Sequence, residues 1–188
     1  LPKTGAYHEI WLGREKVVDG AGAATGGEEE PLYGKHYLPR KFKVAIAHPH
    51  DNSVDALTND VAFVPVVNGG AVGEQYDFYA GGGLGTTHGM PQTKALLAQY
   101  LGRVPRAQVV AATRAIALLQ KEYGERKDRR QARWKYTIRR LGLEFVKSEL
   151  RGRFALELKD AQPQPLGPNK FWHGWHREVG AGKWFLGL

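Results

Sequence analysis

Cysteine is absent from all 188 residues, which excludes disulfides and thiolate metal sites built from this chain. The absence leaves the redox compartment open, because a disulfide-free protein can occur in any of them. Also missing are a run of the ~20 apolar residues that a spanning helix needs and a charged-then-apolar signal segment. No membrane association is expected. Acidic residues are scarce: 19 Asp and Glu face 27 Lys and Arg, a net charge of +8. That balance points to a polyanionic partner, whether nucleic acid, an acidic protein or an anionic ligand. Composition alone leaves the three open. Hydrophobic residues at 42% and charged residues at 24% are ordinary for a soluble globular protein, and the length suffices for one sizeable core.

What is present is organised around the stretch Tyr37 to Ala47, Tyr-Leu-Pro-Arg-Lys-Phe-Lys-Val-Ala-Ile-Ala. Pro39 can begin a strand, and the run after it alternates. Residues two apart share a face, so Lys41, Lys43, Ala45 and Ala47 point one way and Phe42, Val44 and Ile46 the other. The second set reads as a core face. The first reads as a ligand face, where two alanines leave room beside two ammonium groups for something bulky and anionic. A half-exposed strand with solvated lysines is the plainer alternative.

Further along, Gly20 to Glu30 has no apolar periodicity and reads as a surface loop. His48 and His50 sit in a turn, and with no third ligand nearby no metal site is assigned. Val61 to Val67 reads as a buried strand, Asn68-Gly-Gly70 as a hairpin turn, and 75–80 as the return strand. The loop Gly81-Gly-Gly-Leu-Gly-Thr-Thr-His-Gly89 fits neither the dinucleotide fingerprint nor a phosphate loop. Its glycines would still let backbone approach a flat ligand, with amides free to meet carboxylates. A flexible turn is the alternative.

Four helices are expected after it: 91–101, stopped by Gly102; 105–123, with Val109, Ala112, Ile116 and Leu119 at helical spacing; 129–141, capped by Asp128; and 143–150. Arg126, Arg129, Arg130 and Arg133 recur at three- and four-residue steps. With Asp128 the one compensating carboxylate, the stripe reads as an anion-binding face rather than a solvated one. Gln162 to Asn169, with three prolines, reads as a linker. Phe171 to His176 and Lys183 to Leu186 read as two strands, the last running out as in a truncated segment. Together the patterns predict an α+β fold, a mixed sheet from strands near 6–12, 41–47, 61–67 and 75–80 covered by the four helices.

Tyr-Leu-Pro-Arg-Lys-Phe-Lys43, Thr58-Asn-Asp60, Gly81-Gly-Gly-Leu-Gly85 and Asp128-Arg-Arg-Gln-Ala-Arg-Trp-Lys-Tyr136, with Glu9-Ile-Trp-Leu12 before them and Gly174-Trp175 after, stand in one order. That series closely resembles the haemoprotein of siroheme-dependent sulfite and nitrite reductases, over almost the whole chain. The resemblance implies a siroheme-binding α+β module over residues 1–160. Residues 161–188 would be a linker and the opening strands of a second, ferredoxin-like half-domain. It implies siroheme and a 4Fe-4S cluster as cofactors, the cluster's cysteine ligands lying outside this chain. Lys41 and Lys43 would meet the oxygens of sulfite. Arg40, Gly81, Gly82, Gly83, Leu84, Gly85, His88, Arg129 and Arg133 would contact the siroheme. Nitrite-reducing relatives tend to carry Asn at the position of Lys43, which tips the substrate towards sulfite. The partners implied are the remainder of the reductase and a ferredoxin or flavoprotein donor, in the cytoplasm or else the plastid stroma. By itself the segment is expected to be inactive. The alternatives are a segment of a ferredoxin-nitrite reductase, or a non-catalytic basic module that binds nucleic acid or a partner chain.

Overall fold

The computed structural model describes residues 9–12, 15–19, 32, 36–169 and 172–187. The loop expected over 20–30 and residues 6–8 of the first expected strand lie outside them. The chain divides into two compact units, Leu1–Leu38 and Pro39–Leu188. In the first, strand β1 (Glu9–Leu12) pairs antiparallel with β2 (Glu15–Asp19) as a sheet of its own, so β1 is not part of the main sheet as expected.

The second unit is α+β. Its four-stranded mixed sheet runs in the order β3 (Val44–Ile46), β4 (Val61–Asn68), β5 (Ala71–Ala80), β6 (Gln99–Pro105). β3 is parallel to β4, and the other two pairings are antiparallel. The turn between β4 and β5 is Gly69-Gly70, both at positive φ, the geometry a two-residue hairpin connection requires. Three helices follow: α1 (Val109–Tyr123), α2 (Trp134–Leu141) and α3 (Leu143–Gly152). A last hairpin pairs β7 (Gly174–Arg177) with β8 (Trp184–Gly187). No described helix is long and apolar enough to cross a membrane.

One face of the sheet carries the main core. Val61, Phe63, Phe78, Leu101 and Val104 meet Ala112, Ile116 and Leu119 of α1, Trp134 and Ile138 of α2, and Val146 and Leu150 of α3. Phe63 and Phe78, opposite each other on β4 and β5, stack with ring centroids 4.8 Å apart. The stripe on α1 read from the sequence is the one that turns inward.

The helix expected over 91–101 is not there. Residues 91–98 are irregular, and the chain then enters β6. Alanine, leucine and glutamine favour a helix, but pairing with β5 overrides that weak preference. A bulge opposite Phe78 and Tyr79 adds Leu101 to the strand, so two core residues, Leu101 and Val104, stand three apart as they would on a helix.

The opposite face is lined by small residues. Ala45, Ala47, Ala56, Ala62, Val64, Tyr79 and Ala98 form a second cluster, with Leu166 packed on it. The segment 161–169 crosses this face as a strap without helix or strand. The Gln164 side-chain amide bonds both ways to Val67, accepting from its N–H at 2.9 Å and donating to its carbonyl at 3.0 Å. The Gln164 N–H donates to the buried Asp77 carboxylate at 2.8 Å, and Arg103 donates to the same carboxylate at 2.8 Å and to the Gln162 carbonyl at 2.9 Å. Burial, helped by the Asp77 charge, pushes the Tyr79 hydroxyl up to about 12 and Tyr100 higher still, so both stay protonated.

Candidate functional site

The strand read from Lys41 is shorter than its alternation implied. Only Val44–Ile46 pairs in register with β4; residues 41–43 precede it outside regular structure, the Lys43 carbonyl accepting the Val61 N–H at 3.0 Å. The faces are also loaded differently from the expectation. Ala45 and Ala47 are buried in the small-residue cluster and leave no room above them, whereas Val44 and Ile46 are 47% and 59% exposed. The reason is position. Phe42 packs against the main core, but Val44 and Ile46, on the edge strand, belong to neither core cluster. The alanines therefore serve sheet packing and form no ligand face.

A candidate site lies where the start of this segment meets the glycine loop and the N-terminal side of α2. A cavity of about 550 Å³ is lined by Arg40, Gly85, Thr86, Thr87, Thr93, Asp128, Arg129, Arg130, Arg133, Lys135 and Tyr136. Of the residues singled out from the sequence, Arg40, Gly85, Arg129, Arg130 and Arg133 are brought together here. Lys41 and Lys43 do not line it. Lys41 is exposed, and Lys43 is half-buried, its ammonium donating to the Thr58 carbonyl at 3.3 Å. Leu84 and His88 are exposed on the loop and also outside the lining.

The arginines do not form a stripe along one helix. Arg129 and Arg130 lie on a 3-10 turn, Arg129–Gln131, whose cap Asp128 accepts from the Arg130 N–H at 2.9 Å. Arg133 follows in extended conformation immediately before α2. The break gathers the side chains at the helix entrance. Arg126 is drawn off, donating to the Lys121 carbonyl at 2.9 Å.

The three consecutive glycines are buried, and their close neighbours belong to this chain. A Cβ on Gly82 would lie 2.2 Å from the Leu57 carbonyl oxygen and 2.6 Å from that of Asn59. One on Gly81 would meet Ile138 at 2.6 Å, and one on Gly83 the Arg133 guanidinium at 2.8 Å. The expected close approach is real, but for Gly81, Gly82 and Gly83 it is made to protein. Only Gly85, with open space around it, faces the cavity.

Two residues to which the sequence reading gave no role hold this region together. Lys135 is fully buried, and its ammonium donates to the carbonyls of Gly83 at 2.9 Å, Gly85 at 2.8 Å and Lys94. All three of its N–H donors are thereby used. Asp60, also fully buried, accepts the Lys43 backbone N–H at 2.9 Å and the Arg133 guanidinium at 3.2 and 3.4 Å. Its carbonyl accepts the Gly81 N–H at 2.9 Å, while the Asn59 side chain ties down the turn through Asp55 at 2.9 Å. Lysine two places after an arginine on a charged helix carries no signal of burial. Asp60 stands out in the sequence only as part of a motif.

Chemically, the cavity offers guanidinium groups, threonine hydroxyls and a phenol, with Asp128 as the one carboxylate in its lining. The buried Nε of Arg133 has no hydrogen-bond partner among the described residues. Such a surface suits a ligand with several carboxylates or another polyanion.

The family described as "Nitrite and sulphite reductase 4Fe-4S domain" matches residues 1–158. A sulfite reductase (ferredoxin) from Synechococcus elongatus is 40% identical over the whole chain, which spans 32% of that relative. A sulfite reductase (NADPH) hemoprotein beta-component from Geobacillus thermodenitrificans is 44% identical, again over the whole chain and 32% of the relative. The chain thus spans about a third of the length of these curated relatives. Among solved structures, the NirA protein of Mycobacterium tuberculosis is similar with a TM-score of 0.61 and 29% identity, over 78% of this chain and 26% of that one.

Proposed function

Because the chain belongs to the nitrite and sulphite reductase 4Fe-4S domain family, we propose that it is a segment of a sulfite reductase haemoprotein that supplies substrate lysines and part of a siroheme pocket. The observation that carries this reading is the convergence of Arg40, Arg129, Arg130 and Arg133 on one cavity. A siroheme bears eight carboxylates, and unpaired buried charges cost several kcal/mol each, so its rim needs cations and N–H donors. The residues present fit that need. Arg133 adds a buried Nε with no partner among the described residues. The 4Fe-4S cluster is a different case, since a chain without cysteine offers it no thiolate.

When bound, siroheme coupled to the cluster supplies the six electrons that convert sulfite to sulfide. The protein's part is electrostatic. Arg40, Arg129 and Arg133 neutralise and orient carboxylates, and Gly85 to Thr87 complete the lining. Lys41 and Lys43 stand one and three residues beyond Arg40. There they bind the substrate anion, steady the charge growing on its oxygens, and hold protons for the water that leaves. Among the described residues Lys43 spends one N–H donor, on Thr58, and the others serve the anion. Lys43, where nitrite-reducing relatives tend to carry Asn, favours sulfite over nitrite. The donor of electrons is a ferredoxin or a flavoprotein, and the remainder of the reductase supplies the cluster ligands.

The test is made on the complete reductase. Its visible spectrum and iron content should report siroheme and cluster, and Lys41→Met or Lys43→Met should leave both nearly intact. Removing either ammonium should cost roughly 1.5–3 kcal/mol of binding to the anion, so sulfite turnover should fall at least about tenfold. Lys43→Asn should shift preference towards nitrite. Near-normal sulfite reduction by both Met variants, cofactors intact, would remove the lysines from the mechanism.

A further inference from the structure

The two halves of the proposed site are 90 residues apart in sequence, Lys43 before β3 and Arg133 before α2, yet one carboxylate touches both. We infer that Asp60 is a positioning residue that sets the anion-binding arginine and the substrate lysine in fixed relation. The inference rests on the reading of the cavity given above. Asp60 is fully buried, and among the described residues its carboxylate bonds to these two alone. Oδ2 accepts the Lys43 amide at 2.9 Å, which fixes where the lysine leaves the backbone. Oδ1, at 3.2 Å, and Oδ2, at 3.4 Å, both accept from Nη2 of Arg133, and the buried Nε has no partner among the described residues.

The backbone of Asp60 closes the arrangement from behind. Its carbonyl takes the Gly81 N–H at 2.9 Å, and the neighbouring Asn59 carbonyl takes the Gly82 N–H at 3.0 Å, so the glycine loop is hung from the same two residues. Gly83 then packs against the Arg133 guanidinium, where a Cβ would lie 2.8 Å from Nη2. The side of Arg133 away from the cavity is thus filled by a carboxylate and a glycine. Arg133 itself lines the cavity.

Asp60→Asn separates the two roles. The amide oxygen can still accept the Lys43 N–H, but the charge facing Arg133 is gone. In the complete reductase, two quantities are read: siroheme retention from its visible absorption, and protection of the Lys43 amide from hydrogen exchange. We expect Asp60→Asn to release siroheme at least about tenfold faster while the Lys43 amide stays protected. Asp60→Ala should lose both. Arg133→Met should match the siroheme loss of Asp60→Asn, and the double variant should be no worse than either single one within about twofold, because both act through one contact. Retention of siroheme at the wild-type level by Asp60→Asn, with loss in Arg133→Met, would overturn the inference, as would additive losses. If Asp60→Asn does not fold, Arg133→Met decides alone: it must lose siroheme and keep the Lys43 amide protected. Retention of siroheme by Arg133→Met would instead overturn the assignment of the cavity. The exchange measurement would still report whether Asp60 holds Lys43.

Discussion

Lys41 with Lys43 and Arg133 with Lys135 are two pairs of cations at the same spacing, and the fold treats them in opposite ways. The first pair sits just before β3, outside regular structure, with Lys41 exposed and Lys43 holding one carbonyl. The second pair stands at the entrance of a helix, where Lys135 is buried with every donor engaged and Arg133 is pinned by Asp60. The difference teaches that charge count does not locate chemistry. A cation whose donors all go to carbonyls is a structural strut, however close to the site it lies. One that keeps donors free can act on a ligand.

The sharpest way to break this comparison is Lys135→Met. Hydrogen bonds to a charged group contribute about 1.5–3 kcal/mol each, and three carbonyls would lose their partner. A loss of at least about 3 kcal/mol in denaturant unfolding is expected, with faster hydrogen exchange over 83–96. A change below about 1 kcal/mol would make Lys135 another solvated cation. Next comes Gly82→Ala, which sets a methyl group against the Leu57 and Asn59 carbonyls and should cost about 1–3 kcal/mol by overpacking. Its effect should appear as lost stability. Selective loss of cofactor at unchanged stability would return this glycine to the ligand.

Lys41→Met is the counterpart on the exposed pair. Stability should move by less than about 0.5 kcal/mol, while turnover in the complete reductase loses at least about 1.4 kcal/mol of transition-state stabilisation. The smallest effect is expected at Arg153, which tests whether geometry without burial is enough. It grips Glu122 with two bonds of 2.5 and 2.6 Å, yet both side chains are substantially exposed. Hydrogen bonding from Arg153 holds the Glu122 carboxyl below its ordinary range. The stabilisation is therefore complete above the unfolded carboxylate value and is lost as pH falls through the lower folded one. Glu122→Gln should cost under about 1 kcal/mol at neutral pH, and the gap from wild type should close below about pH 4.

Features that depend on local pattern were legible in the sequence. The stripe Val109, Ala112, Ile116 and Leu119 gave α1, and Asn68-Gly-Gly70 gave the hairpin, because periodicity and turn chemistry are written in neighbouring residues. The arginines between 126 and 133 stood out because so little negative charge accompanies them, although a 3-10 turn, not a continuous helix, gathers them. Misreadings came where distant chain decides. Alanines beside lysines fit an open face or a packed one equally well, and a strap more than 110 residues away makes it packed. A bulge gave β6 a helix-like spacing. Three glycines announced a close approach without saying to what.

Consider, finally, the order in which the walls of the cavity come together. Arg133 reaches Asp60 across 73 residues, and Lys135 reaches Gly83 across 52. Contacts that bridge such spans must overcome loop-closure entropy before they return any stability, and they form late relative to hairpins and helices. A nascent chain that has completed β4, β5 and α1 has not yet closed this cavity, since the part that supplies Arg133 and Lys135 has not docked. A ligand of this cavity can therefore recognise only the assembled fold. Its binding would draw the last docking step to completion by mass action, which makes loading a check on folding.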